Sequence, residues 1–134
     1  MIEELNLVNV VSIDCITSRV EALEIMARSR ILFLFSVDQP LQIPVKLYEY
    51  IGLHSYVLAE CDEAGAALNI LRQYPRSEIV PPGNIEKMKE AIIKLFNARN
   101  DRSADNLSSF QFSKFERKEL AGQLAEALNK RLVS

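Results

Sequence analysis

The chain has 134 residues, the size of one ordinary domain with its own core, so we expect a single domain over residues 1–134. Its 16 Lys and Arg residues nearly balance its 18 Asp and Glu residues, which argues against a nucleic-acid ligand. No apolar run approaches the roughly 20 residues of a membrane span, and the start lacks a signal-peptide pattern. Cys15 and Cys61 have no CxxC spacing, so we expect buried free thiols in the cytoplasm rather than a disulfide.

The first third of the chain alternates between strand and helix patterns. Leu5–Ile13 is rich in β-branched residues, which predicts a first strand. Ser18 and Glu21 have the spacing of a capping box, so a helix is expected to begin there and to end at Ser29. Ile31–Phe35 is apolar at every position, which predicts a strand that is buried on both faces of a parallel sheet.

The middle of the chain continues this alternation. Pro44 suits the first turn of a helix, so Val45–Gly52 is predicted to be helical. Tyr56–Glu60 is predicted to be the next strand, and the negative charge of Asp62 favours the start of another helix. Glu78–Val80 is predicted to be a short fourth strand.

The last third has helical patterns on both sides of a polar stretch. Asn84 is placed to cap a helix, and residues 97–109 are expected to form an exposed loop. Ser113 and Glu116 form a second capping box, which predicts a long terminal helix. That helix has leucines at four-residue intervals, namely Leu120, Leu124, Leu128 and Leu132. The whole pattern predicts a three-layer α/β fold with a mainly parallel sheet of about four strands.

These segments together resemble the donor-binding half of the GT-B glycosyltransferases. Ile43–Gly52 is similar to the family pattern P-G-K-x-Y-E-Y, and Val57–Ala59 follows it as the next strand. Glu78–Asn84 and the aromatic and basic stretch Phe112–Arg117 also fit that domain. The resemblance runs from about residue 5 to residue 132. Its specificity rests mainly on Pro44, Lys46, Tyr48, Glu49 and Tyr50.

The resemblance implies a Rossmann-like domain that binds a nucleotide-diphospho-sugar. Glu49 would accept hydrogen bonds from the ribose hydroxyls, as acidic residues do in dinucleotide sites. Lys46 and the backbone at Val45 would lie near the diphosphate, at the N-terminus of a helix. Ser36 and Asp38 would follow the carboxyl end of a strand, where α/β sheets place their ligands.

The chain also departs from the family pattern. Leu41 stands where many retaining members carry the first glutamate of an E-x7-E pair, and Val45 replaces a glycine that lets the backbone approach phosphate. Leu53–Ser55 stands where the family often has Gly-x-Pro. An N-terminal acceptor domain and the first strands of the donor domain find no counterpart, so the resemblance implies a fragment that is incomplete on its N-terminal side.

We therefore expect the donor-binding part of a hexosyltransferase-type glycosyltransferase, which is not active alone. The complete enzyme would transfer a sugar from a nucleotide-diphospho-sugar to an acceptor hydroxyl, with an acceptor domain and a peripheral membrane association. No metal or other cofactor is expected, because the sequence has no DxD or phosphate-loop motif.

Plainer alternatives stand beside this interpretation. The chain could be a non-catalytic α/β module that docks a partner, or forms a homodimer, through an open sheet edge. Glu49 could be a helix carboxylate that pairs with Lys46 at i+3. Tyr48 and Tyr50 fit packing against the sheet better than stacking on a base, and His54 has no partner at a catalytic spacing.

Overall fold

The computed structural model of this chain describes residues 2–15, 18–98 and 107–132. Helices and strands alternate along it. In chain order they are α1 (Arg19–Arg28), β1 (Ile31–Ser36), α2 (Val45–Gly52), β2 (Tyr56–Cys61), α3 (Ala66–Leu71), β3 (Ser77–Val80), α4 (Ile85–Ala98), 3-10 turns at Leu107–Ser109 and Phe112–Phe115, and α5 (Arg117–Leu132). The α/β class expected from the alternation is confirmed.

The described strands form one parallel sheet in the order β1-β2-β3. The expected count of about four strands is therefore wrong for the part of the chain that the structure describes. Leu5–Ile13 contains turns and no strand, and the Leu7 carbonyl accepts from the Val10 and Val11 N–H groups at 2.9 and 2.8 Å. β-branched residues favour a strand only where a neighbouring strand is present to pair with them.

Helices cover both faces of the sheet. Leu34, Val57 and Ala59 point into a core that is shared with α1, α2, α3 and the aromatic residues near Phe110. On the opposite face, Leu58 packs with residues of α4. The central strand is thus buried from both sides.

β1 differs from the expected doubly buried strand. Its residues alternate between the core and the outside, so Leu34 is 3% exposed whereas Phe33 and Phe35 are 47% and 64% exposed. An all-apolar sequence shows that a strand tolerates burial on both faces, but neighbouring elements decide whether both faces are covered. No described element covers the outer face of β1 at these two rings.

Local capping signals were largely correct. The Ser18 hydroxyl accepts from the Glu21 N–H at 3.1 Å, and the Asn84 side chain accepts from the Lys87 N–H at 3.0 Å. α3 begins at Ala66, later than the acidic pair that was expected to start it, because Gly65 is its N-cap.

The last helix also starts later than the second capping box predicts. Residues 112–115 form a 3-10 turn, and α5 begins at Arg117, where the Leu120 N–H donates to the Glu116 carbonyl at 3.0 Å. The turn directs Phe112 and Phe115 toward the aromatic core. Of the predicted polar loop, residues 99–106 lie outside the described residues. Among the described residues, no helix combines the length and the apolar character that crossing a membrane requires.

Both cysteines are free thiols, but only one is buried as expected. Cys15 is exposed, whereas Cys61, at the end of β2, is 2% exposed. Burial raises the pKa of the Cys61 thiol, the Asp62 carboxylate raises it further, and Arg72 opposes them. A raised folded-state pKa means that the unfolded chain loses this proton more readily as the pH rises.

We therefore expect iodoacetamide to alkylate Cys15 quickly in the folded protein and Cys61 only after unfolding. The free energy of unfolding should also fall as the pH rises through the ordinary range of cysteine, and Cys61→Ala should remove that part of the decline. Mass spectrometry of labelled peptides and urea titrations across pH measure both effects. Rapid labelling of Cys61 under native conditions would contradict the burial. Cys15→Ala is the matched control.

Candidate functional site

The predicted donor-binding residues gather where β1 ends and α2 begins. Ser36 is the last residue of β1 and is 5% exposed. Asp38 follows with a φ of 60°, a left-handed conformation that aspartate tolerates better than most residues. Val45, Lys46 and Glu49 occupy the first two turns of α2. β1 belongs to a parallel sheet, and this group lies at the carboxyl ends of its strands, where α/β proteins bind ligands.

Two hydrogen bonds hold the loop that joins β1 to α2. The Asp38 N–H donates to Oδ2 of Asp62 at 2.8 Å, and the Ala66 N–H donates to the Pro40 carbonyl at 2.7 Å. The loop is therefore fastened to the segment between β2 and α3. Sequence reasoning placed Asp62 at a helix N-terminus and missed this role. The sequence signal that could have indicated this role is the position of Asp62, an acidic residue directly after a buried strand.

The start of α2 is open to solvent. Its N-cap is Pro44, whose side chain forms no capping hydrogen bond, since proline has no polar side-chain atom. Val45 is 71% exposed, and Lys46 is exposed as well. The first N–H groups of a helix have no partner within the helix, and the helix dipole makes this end favourable for anions.

Glu49 has a partner that the sequence did not suggest. Its Oε1 accepts from Nη2 of Arg19 at 3.0 Å, and the carboxylate side chain is 19% exposed. The plainer alternative placed Lys46 at this position, but the observed partner comes from α1. No sequence pattern reveals a pair separated by 30 residues. A carboxylate has about four acceptor positions, so this ion pair leaves room for ligand hydroxyls.

The tyrosines of α2 pack against the protein. Tyr50 is 8% exposed, and its hydroxyl donates to the Phe33 carbonyl at 3.3 Å. Burial raises the pKa of Tyr50, and the Glu49 carboxylate raises it further. The ring centroid of Tyr48 lies 6.0 Å from that of Phe115. Both rings therefore support the position of α2, as the packing alternative held.

Two other positions that the sequence analysis considered offer no support to a ligand site. Leu41, at the place of the family's first glutamate, is 95% exposed and offers a ligand no polar side-chain atom. The ring centroid of His54 lies 4.7 Å from that of Phe112, and its backbone has a φ of 57°. His54 therefore has a packing role at the end of α2.

A cavity of about 430 Å³ opens where β2 and β3 end. Its lining includes Cys61, Glu63, Leu68, Arg72, Ile79, Pro81 and Lys87. These residues differ from the predicted donor contacts, so the sequence hypothesis did not identify this concave surface. Glu60 lies nearby and accepts from the Gly83 N–H at 2.7 Å, which fastens the loop after β3 to β2.

In the described ranges, no group of three or more His, Cys, Asp or Glu side chains is placed to hold a metal ion. The arrangement offers a carboxylate, a lysine and the open N-terminus of a helix, all at the carboxyl end of β1. No protein-family model matches this chain, and neither a curated protein nor a solved structure matches it.

Proposed function

We propose that this chain is the donor-binding part of a glycosyltransferase and takes a nucleotide-diphospho-sugar at the carboxyl end of β1. One observation carries the proposal: Glu49 is held by Arg19 in the second turn of a helix whose first turn is open to solvent. A carboxylate held in this way can accept from vicinal ribose hydroxyls. The domain would then be a Rossmann-like unit of the GT-B type.

The diphosphate would bind at the start of α2. Lys46 supplies a positive charge, and the open N–H groups near Val45 add hydrogen-bond donors in the direction of the helix dipole. Ser36 and Asp38, at the end of β1, would contact the part of the nucleotide nearest the sheet. The hydrogen bond from the Asp38 N–H to Asp62 supports this assignment, because it would hold that wall of the site in place before a ligand arrives.

The reaction itself belongs to the complete enzyme in this proposal. Sugar transfer to an acceptor hydroxyl requires both substrates to be held in one cleft, so the donor-binding part should not turn over alone. The complete enzyme would be a cytoplasmic hexosyltransferase with an acceptor domain and a peripheral membrane association. The two free thiols fit a reducing compartment.

Calorimetric titration with UDP and with GDP tests the site. We expect one of them to bind, and we expect Glu49→Ala to weaken that binding by about tenfold or more, since hydrogen bonds to charged groups contribute roughly 1.5–3 kcal/mol. The matched control is Arg19→Ala, which removes the same ion pair but keeps the carboxylate. It should weaken binding less than Glu49→Ala does.

The pair of variants separates a binding role from a structural one. If Glu49 serves only the ion pair, both variants should lower stability equally and should change nucleotide affinity equally. That result, or a lack of response to both nucleotides at millimolar concentration, would remove the basis for the donor site.

A second candidate function is the docking of a partner through the open edge of the sheet. Among the described strands, β1 pairs with β2 on one side only. Phe33 and Phe35 are 47% and 64% exposed on the same strand. Exposed edge strands with apolar side chains are templates for pairing with another chain.

A further inference from the structure

The cavity at the carboxyl ends of β2 and β3 has the size and the position of a ligand site. Its volume is about 430 Å³, and small-molecule pockets usually enclose roughly 300–1,000 Å³. Cys61 is the last residue of β2 and Pro81 directly follows β3, so the cavity opens at the end of the sheet where α/β proteins bind ligands. Its lining residues differ from the donor contacts proposed above, so it is a different surface.

The buried part of the lining, which we call the floor, is apolar. Cys61 and Leu68 are 2% and 4% exposed, and Ile79 is partly buried against the same core cluster. These side chains offer a ligand van der Waals contact and remove apolar surface from water when they are covered. The floor therefore favours a ligand that has an apolar part.

Three charged side chains complete the lining, namely those of Glu63, Arg72 and Lys87, and all three residues are exposed. In the part of the chain that the structure describes, the ion pairs join other residues, so neither Arg72 nor Lys87 has a carboxylate partner. Burial and the Asp62 carboxylate raise the pKa of the Cys61 thiol, and Arg72 lowers it, so the charge of Arg72 acts at the floor. The cavity thus presents two positive charges and one negative charge above an apolar surface.

The backbone that carries the two cations is held in place. The Lys87 N–H donates to Oδ1 of Asn84 at 3.0 Å, and the Gly83 N–H donates to Oε1 of Glu60 at 2.7 Å, which attaches the start of α4 to β2. Arg72 is the C-cap of α3 and keeps a helical backbone. Because the two N–H groups already have acceptors, a ligand in the cavity would be held by side chains.

We propose that this cavity binds a small phosphate ester with an apolar body. The Arg72 guanidinium can bind two phosphate oxygens at once, and the Lys87 ammonium adds a point charge. A phosphate dianion uses both positive charges, and the apolar body would lie on the floor. Glu63 repels an anion, so it would keep the phosphate on the side of the two cations.

Titration with phenyl phosphate, followed through the amide NMR signals of Cys61, Leu68 and Lys87, tests the site. We expect phenyl phosphate to bind more tightly than inorganic phosphate, because its ring adds contact with the floor, and more tightly than phenol, which lacks the charge. No shift of these signals by phenyl phosphate at millimolar concentration would overturn the proposal. Equal affinity for phenyl phosphate and inorganic phosphate would overturn the role of the floor.

Substitutions of the charged residues should have effects of opposite sign. Arg72→Gln and Lys87→Gln should each weaken the binding of phenyl phosphate about tenfold, the change in affinity that matches the loss of a hydrogen bond to a charged group. Glu63→Gln should strengthen the binding, because it removes a repulsive charge. Lys130→Gln, at an exposed lysine of α5, is the matched control and should leave the affinity unchanged. Weakening by Glu63→Gln, or equal weakening by Lys130→Gln, would contradict the proposal.

The same variants separate this site from the nucleotide site at the start of α2. Glu49→Ala should leave the affinity for phenyl phosphate unchanged, and Arg72→Gln should leave the affinity for UDP and GDP unchanged. If Arg72→Gln weakens nucleotide binding and Glu49→Ala does not, the nucleotide phosphates occupy the cavity, so the site at α2 fails and the cavity site stands. If Glu49→Ala weakens the binding of phenyl phosphate and Arg72→Gln does not, the phosphate binds at α2 and the cavity site fails.

Discussion

Replacing Leu47 with alanine is expected to lower the free energy of unfolding by about 2–5 kcal/mol. Leu47 is completely buried on the inner side of α2 and belongs to the larger core cluster. Truncation removes its apolar contacts and leaves a cavity beneath the helix that carries Lys46 and Glu49. The effect is large because a domain of this size has a total stability of only about 5–15 kcal/mol.

Urea denaturation followed by circular dichroism measures this change. Leu41→Ala is the matched control, because it removes the same atoms from a leucine that is 95% exposed in the loop before α2. We expect the control to stay within about 0.5 kcal/mol of the wild type. A similar loss in both variants would show that Leu47 does not anchor α2 as the structure indicates.

The second large effect is expected at Phe110, the centre of an aromatic cluster near the end of the chain. Its ring centroid lies 5.2 Å from Tyr74, 4.8 Å from Phe112 and 5.6 Å from Phe115. Phe110 is 9% exposed, and Tyr74 is fixed in turn by a hydrogen bond from its hydroxyl to the Ser55 carbonyl at 2.9 Å. This cluster attaches residues 107–115 to the rest of the fold.

Phe110→Ala should therefore lower the free energy of unfolding by about 3–5 kcal/mol. Part of the loss should appear as local release, so hydrogen exchange should accelerate in residues 107–132 before it does in the sheet. Phe96→Ala, at a ring that is 54% exposed on α4, is the control and should have a much smaller effect. Unchanged exchange in residues 107–132 would contradict the anchoring role.

Local sequence patterns were sufficient to predict the helices, strands and caps that depend on residues close together in the chain. The predicted helix Val45–Gly52 agrees with α2 at both ends, and the three observed strands agree with their predictions to within one residue at each end. The caps Ser18 and Asn84 also stand where the sequence placed them. Caps and apolar periodicity act within one or two turns, so a single sequence is enough to find them.

The candidate site was predicted in part for the same reason. Ser36 and Asp38 follow a recognisable strand, and Lys46 and Glu49 sit on a recognisable helix, so their placement at one edge of a parallel sheet follows from topology. The residues that contact them could not be predicted from the sequence. Arg19 reaches Glu49 from α1, and Asp62 binds the loop after β1, because the fold brings distant segments together.

By itself, the sequence determined the alternation of helices and strands, the α/β class, and the positions of the candidate residues at the end of β1 and the start of α2. Only the tertiary structure decided that Leu5–Ile13 joins no described sheet, that β1 has one described neighbouring strand and that Phe33 and Phe35 face outward. The physical reason is the same in each case. Residue type sets which surroundings a segment tolerates, whereas pairing and burial depend on what lies beside it in space.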